Sequence, residues 1–207
     1  MSSQAAAPSL DEGLLNSREG LCYVVGFDGS ILAIGERNWN KAVSGTGAVH
    51  LNAEAMIGAN IFECISGEEI VFAYRRYLWD FLKGRREEVS FPFRCDSPNR
   101  RRDLKMKMSA VYENDRPIAV MFQSFVLSEK RRARINLLDT AYMKEVQVAE
   151  GPLPLITLCS FCHAVKRRAA DVQWQPLEVY FGNGGDDRVR VGHGICPFCF
   201  EAHHARG

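Results

Sequence analysis

The sequence predicts an α+β protein that ends in a small metal-binding module. Three observations carry that prediction. Apolar and polar residues alternate through Val89–Asp96 and again through Leu104–Ala110, the period of strands with one buried face. Ile70, Tyr74, Tyr77, Leu78 and Phe81 recur at helical spacing and form one apolar stripe. Two cysteine pairs, Cys159-Ser-Phe-Cys162 and Cys196-Pro-Phe-Cys199, lie after residue 158, and two such hooks supply the four ligands of a tetrahedral ion.

Taken in order, residues 1–19 form a polar leader with a short amphipathic helix around Ser9–Leu15. Its few apolar anchors need a surface, either the domain that follows or a partner chain. Leu21–Phe27 reads as a strand, Asp28-Gly29 as a tight turn, and Ile31–Glu36 as the returning strand. Short helices and loops follow from Asn38 to Ile65. The long helix starts near Gly67 and stops at Gly84, with Lys83 and Arg85 at its negative end.

Three strands come next. Val89, Phe91, Phe93 and Cys95 share one face of the first, and Leu104, Met106, Met108 and Ala110 share one face of the second. The third, Ile118–Leu127, is apolar on both faces at its centre and should be the most buried. Pro92 cannot donate to a ladder, so its strand should be an edge or carry a bulge. The tip between the first two strands, with Arg100, Arg101 and Arg102, reads as a solvated turn. Ser128 opens a polar helix running to about Ala149, with a narrow stripe of Ile135, Leu138, Tyr142 and Val146. That stripe fits a helix paired with a partner chain or packed back on its own domain. Gly151-Pro-Leu-Pro154 stops it. The domain limits that follow are 1–19, 20–128, 129–150 and 151–207.

Residues 20–128 resemble a PAS domain, the α+β sensor module of signalling proteins. The supporting residues are the Asp28-Gly-Ser hairpin, the Ile57–Gly67 segment leading into the long helix, and the three closing strands. The resemblance implies a five-stranded antiparallel sheet with helices on one face, and a sensor of unknown ligand. Tyr74, Leu78, Phe91, Phe93, Leu104, Met106 and Met108 are candidates to line its pocket; the competing reading is a filled core. A haem- or flavin-binding sensor is an alternative. The flavin motif Asn-Cys-Arg-Phe-Leu-Gln is not supplied by Phe62-Glu-Cys-Ile-Ser, and His50 as a haem ligand is outweighed by an ordinary loop histidine.

Residues 155–205 resemble a C-terminal segment of bacterial signalling proteins. The match lies in Leu158–Cys162, Trp174–Glu178, Tyr180 and Gly192-His-Gly-Ile-Cys-Pro-Phe-Cys199. Gly192 stands where serine is usual, and Val165-Lys-Arg-Arg where a Lys-Ile-Arg run is common; neither touches a cysteine. Cys159, Cys162, Cys196 and Cys199 are the expected ligands of a structural Zn²⁺. Four thiolates leave no open position for catalysis, and the His-x-Glu of the zinc deaminases is absent. A module of roughly fifty residues has too small a core to fold securely alone, whereas a structural zinc contributes on the order of 10–16 kcal/mol. Trp174, Leu177, Tyr180 and Phe181 are its expected core. A redox dithiol would leave one pair unexplained; an iron–sulfur cluster uses the same four ligands. His193 is expected to hydrogen-bond a sulfur or, alternatively, to replace a ligand. His163 has a weaker claim, and His203 and His204 read as an exposed tail. Cys22, Cys64 and Cys95 read as small buried hydrophobes.

The bulk numbers restrict function. A net charge of +1 provides no global field for nucleic acid or membrane. No apolar run reaches a membrane span, and the first residues lack signal-peptide character. The expectation is a cytoplasmic, non-enzymatic signal-transduction protein that acts through protein contacts, as a homodimer. A nucleic-acid regulator is the alternative, supported by Lys130–Arg134 and Lys166–Arg168 but by no recognition-helix pattern. A kinase is disfavoured because no glycine-rich nucleotide loop is present.

Overall fold

The computed structural model describes residues 12–44, 51–65, 67–148, 151–167 and 173–204. The leader residues 1–11, His50 and Arg168 lie outside them. The described residues form a mixed α+β fold with a five-stranded antiparallel sheet, several helices and a C-terminal cysteine cluster.

The chain opens with α1 (Glu12–Ser17), β1 (Leu21–Val25) and β2 (Ile31–Ile34). The turn between the strands is as expected: Gly29 sits at φ +93°, and Asp28 Oδ1 accepts from the Ser30 amide (3.0 Å) and hydroxyl (2.6 Å). Leu15 packs α1 against Cys22, Val24, Ala33 and Ala119, so the N-terminal helix uses its own sheet as its surface. Then come α2 (Glu36–Ser44), α3 (Ala53–Met56) and α4 (Ile61–Cys64). Asn52 caps α3 by accepting from the Ala55 amide.

The long helix α5 (Glu68–Leu82) buries Ile70, Tyr77, Leu78 and Phe81 of the stripe that its spacing predicts; Tyr74 of that stripe is only half-buried, and Ala73 is buried beside it. Gly84 ends it at φ +63°, and the Arg85 amide reaches back to the Asp80 carbonyl at 2.9 Å.

Next are β3 (Glu88–Arg94), β4 (Arg100–Glu113) and β5 (Arg116–Arg131), and the sheet order is β2-β1-β5-β4-β3. Asn114 and Asp115, both at positive φ, turn β4 tightly into β5. β5 lies inside the sheet and buries Ala119, Val120, Phe122, Gln123 and Ser124, as its two-sided apolarity demands. β3 is an edge, which suits Pro92. Its alternation fails beyond that proline: Arg94 is buried, Phe93 only half-buried, and Cys95 exposed. The ladder loses a donor at Pro92, and Arg94 is drawn inward by carboxylates described below.

The helix expected from Ser128 to about Ala149 is restricted to α6 (Thr140–Gln147), preceded by a 3-10 turn at Asn136–Leu138. β5 continues through Arg131 because antiparallel pairing overrides the helical propensity of Lys130 and Arg131. The C-terminal module contains β6 (Leu155–Cys159), β7 (Val165–Lys166), α7 (Leu177–Gly182), β8 (Arg190–Gly194) and α8 (Pro197–His204). Its sheet order is β7-β6-β8, with β6 and β8 parallel.

The chain separates into two compact units. One takes the described residues within Met1–Cys64, Arg75–Ser90 and Met106–Phe125; the other takes those within Ile65–Tyr74, Phe91–Lys105 and Val126–Gly207. The units are not consecutive stretches of sequence, because β3, β4 and β5 each supply residues to both. The second unit has its own core of Ile135, Leu137, Ile156, Leu158, Val165, Leu177, Tyr180 and Val189. The stripe before α6 therefore packs back onto the cysteine-bearing module through Ile135. Leu177 and Tyr180 are in that core and Phe181 packs against it, whereas Trp174 is not part of it.

Candidate metal centre

The convergence of the two hooks follows from strand pairing. β6 and β8 are adjacent and parallel, with Cys159 opposite Gly194. Neighbouring strands lie about 4.8 Å apart, so two hooks leaving the same end of such a pair must meet. A parallel pair cannot be joined by a tight turn; it needs a crossover of a dozen or more residues. That requirement explains the long stretch between the hooks, which contains β7 and α7.

The first hook turns back sharply. The His163 amide donates to the Cys159 carbonyl (2.9 Å), the Cys159 amide to the Ala164 carbonyl (2.7 Å), and His163 takes φ +57°. The Ser160 amide ties this hook to Gly194 on β8 (3.0 Å). The second hook runs into α8, whose first residue, Pro197, costs no helical hydrogen bond.

The four Sγ atoms of Cys159, Cys162, Cys196 and Cys199 all lie within 4.8 Å of one another, and Cys162 and Cys196 are 3.6 Å apart. A tetrahedral ion with Zn–S bonds of 2.3 Å needs sulfurs about 3.8 Å apart, so the donor set fits. Cys159, Cys196 and Cys199 are buried. The Cys196 amide donates to Cys159 Sγ (3.4 Å) and the Cys199 amide to Cys196 Sγ (3.5 Å), contacts that favour thiolates.

Hydrogen bonds from the thiols of Cys162 and Cys199 pull the Cys159 thiol far below its ordinary value. The same bonds push Cys199 up, and Cys162 up to about 12. Four sulfurs this close cannot all be anionic without a cation between them; a bound divalent ion displaces the retained protons. His193 is exposed and does not belong to the cluster of four cysteines.

Beside the hooks lies a buried ion cluster that sequence reasoning missed. Arg94 of β3 contacts Asp96 and pairs with Glu178 of α7 at 2.6 Å. Arg132 pairs with the same Asp96 (2.9 Å) and Glu178 (3.1 Å), and His163 Nδ1 stands 3.3 Å from Asp96. Asp96 also accepts the Arg102 amide, and the Arg94 amide donates to the Phe161 carbonyl inside the first hook at 2.7 Å. Burial alone would raise the Asp96 carboxyl, but contacts with His163, Arg94 and the Arg102 amide hold it well below the usual carboxylate range. The sequence signals were the surplus of charges at the hairpin tip and the basic run at 130–134, which spacing cannot distinguish from solvated residues. Glu69 of α5 adds a further tie by accepting the Ile195 amide at 3.1 Å.

Two clefts take in candidate pocket residues. Tyr74 lines a cleft of about 250 Å³ with Ile70, Leu158, Phe161, His163 and His193. Leu78 lines a separate one of about 170 Å³. Phe91, Phe93, Leu104, Met106 and Met108 line neither; all but Phe93 are buried. Phe91 packs edge-on against Phe161 (5.6 Å between centroids) and His203 (4.5 Å), and those two stack at 3.8 Å. His203 is thus a buried member of α8 rather than an exposed tail residue. Cys22 is buried as expected, but Cys64 and Cys95 are exposed, because one ends a short helix and the other follows the break in β3. The basic run at 130–134 is partly consumed: Arg132 is in the ion cluster and Arg134 pairs with Asp139. Among the described residues, no helix is long and apolar enough to cross a membrane.

No family model matches the chain, and no curated protein matches it. Among solved structures it is similar to the PAS domain of BvgS from Bordetella pertussis, at 13% identity and TM-score 0.44, covering 66% of this chain and 95% of that one. It is also similar to a sensory box sensor histidine kinase from Vibrio cholerae, at 16% identity and TM-score 0.39, covering 56% and 87%. The PAS domain of an HTR-like protein from Haloarcula marismortui is similar at 14% identity and TM-score 0.38, covering 56% and 88%. Likeness at this level assigns no activity.

Proposed function

We propose that the chain is a non-enzymatic regulatory protein in which a PAS-like sensor sheet is coupled to a structural zinc module that acts by protein contact. The observation that carries this reading is the ion cluster: Arg94 and Asp96, at and just beyond the end of β3, are tied to Glu178 of the cysteine module through the Arg94 ion pairs, with His163 beside Asp96; the Asp96 and Arg94 side chains are 0% and 7% exposed. Such pairs tolerate little displacement, since separating them strands a buried charge. A shift along β3 is therefore passed to the first hook through the Arg94–Phe161 backbone bond.

In this reading Cys159, Cys162, Cys196 and Cys199 hold the zinc, which supplies a closed crosslink between the ends of β6 and β8. His193 remains outside the ligand set. Four thiolates on one ion leave no open metal position, which favours regulation over turnover at this centre.

Hydrogen exchange on zinc-loaded protein tests the coupling. Asp96→Asn should accelerate exchange of amides across 155–167 and 190–199 while zinc stays at its wild-type level. Unchanged exchange there would remove the coupling. Phosphate release or autophosphorylation with labelled ATP would remove the non-enzymatic assignment.

A further inference from the structure

We infer that the outer face of α5 is a docking site for an acidic peptide segment with one large apolar side chain, in the pattern acidic-x-apolar-x-acidic. A cleft of about 170 Å³ is lined by Phe27, Arg75, Leu78, Trp79 and Leu82. Trp79 is 51% exposed and Leu82 39% exposed, an apolar opening that water covers poorly. A cation stands toward each end. Arg75 lies over the Phe62 ring at 4.1 Å and Lys83 over the Trp79 ring at 4.4 Å. Neither has a carboxylate partner among the described residues, whereas the nearby Asp80 faces Arg85 at 3.9 Å.

These two cations are already held by aromatic faces, so an incoming carboxylate need not order a free side chain. Trp and Arg are also the residues in which binding energy concentrates.

The spacing selects the partner. Arg75 and Lys83 are eight residues apart, and the Lys83 amide still bonds to the Trp79 carbonyl. At 1.5 Å per residue their backbone positions are about 12 Å apart along the helix. Four residues of extended chain cover about 13 Å, and positions i, i+2 and i+4 face the same way. Carboxylates at i and i+4 therefore meet the two cations while the side chain at i+2 enters the cleft. This site is separate from the cysteine cluster and does not depend on the regulatory reading.

The test uses zinc-loaded full-length protein and a labelled synthetic peptide with the core Glu-Ser-Phe-Ser-Glu, followed by fluorescence anisotropy. Saturable micromolar binding is expected. Arg75→Glu and Lys83→Glu should each weaken it about tenfold, as should Trp79→Ala or replacement of the peptide's Phe by Ala. The double charge reversal should instead bind a Lys-Ser-Phe-Ser-Lys peptide. All these positions are exposed, so metal content and thermal midpoint serve as the folding control and should not move. The inference is overturned by no saturable binding, by charge reversals that change affinity less than twofold, or by oligo-dT displacing the peptide with equal affinity, which would make the face a nucleic-acid site.

Discussion

Replacing Asp96 by Asn should cost the folded protein about 3–5 kcal/mol, the range for breaking a buried ion pair from one side. The Asp96 side chain is 0% exposed, and those of Arg94 and Arg132 are 7% and 11% exposed. At 2.9 Å the Arg132 pair alone is worth about 6 kcal/mol at an effective dielectric of 20; desolvation of the ions offsets part of that. Asn keeps the shape and can still accept the Arg102 amide, but it leaves two guanidinium groups facing one carboxylate, Glu178. Urea unfolding of zinc-loaded protein at neutral pH, followed by tryptophan fluorescence, measures the loss. Glu178→Gln should cost less, about 1 kcal/mol, because that side chain is 35% exposed and water screens it. A loss below about 1 kcal/mol for Asp96→Asn would refute the view that this cluster is energetically closed.

Other outcomes follow from the same contacts. The Asp96 and Glu178 carboxyls lie below their ordinary values in the folded protein. Their stabilisation is therefore complete above the unfolded carboxylate pKa, about 4, and is lost as pH falls through the folded values; the thermal-midpoint gap between wild type and Asp96→Asn should hold from pH 7 to about 5 and narrow as the pH is taken to about 3. Gly20→Ala should destabilise by at least about 2 kcal/mol in urea titration, since a Cβ there would lie 2.0 Å from the Ser124 carbonyl oxygen at φ +79°. Gly58→Ala, at φ +81° with open space around it, should cost only the backbone strain, about 1–2 kcal/mol. Leu177→Ala, at a position with 0% exposure, should cost about 2–5 kcal/mol by calorimetry.

Periodicity made the fold legible wherever one residue faces one environment. The α5 stripe, the inward set on β4 and the two-sided burial of β5 largely follow from local pattern, and Pro92 restricted its strand to an edge or a bulge, of which the edge is found. Pattern failed where a distant partner decides the outcome. Arg94 reads as an outward strand residue until Glu178 is brought beside it, and His203 reads as tail until α8 lays it on Phe161. Lys130 and Arg131 have helical propensity, yet their strand has a neighbour to pair with. The four cysteines were legible as a candidate metal site because the hook chemistry is local. Their meeting point depends on β6 and β8 being parallel neighbours, which no spacing encodes. Whether the inward-facing residues line a cavity is likewise not encoded in alternation, since Phe91 meets Phe161 and His203, rings from far along the sequence.

X-ray absorption on protein purified under reducing conditions, with elemental analysis of the same sample, tests the central assignment most directly. The account predicts one zinc per chain with four sulfur neighbours at about 2.3 Å and no nitrogen in the shell, and loss of that signal when Cys159 and Cys196 are both replaced by alanine. A histidine nitrogen in the shell, an iron–sulfur spectrum, or a metal-free chain whose C-terminal module resists protease as well as before would contradict it.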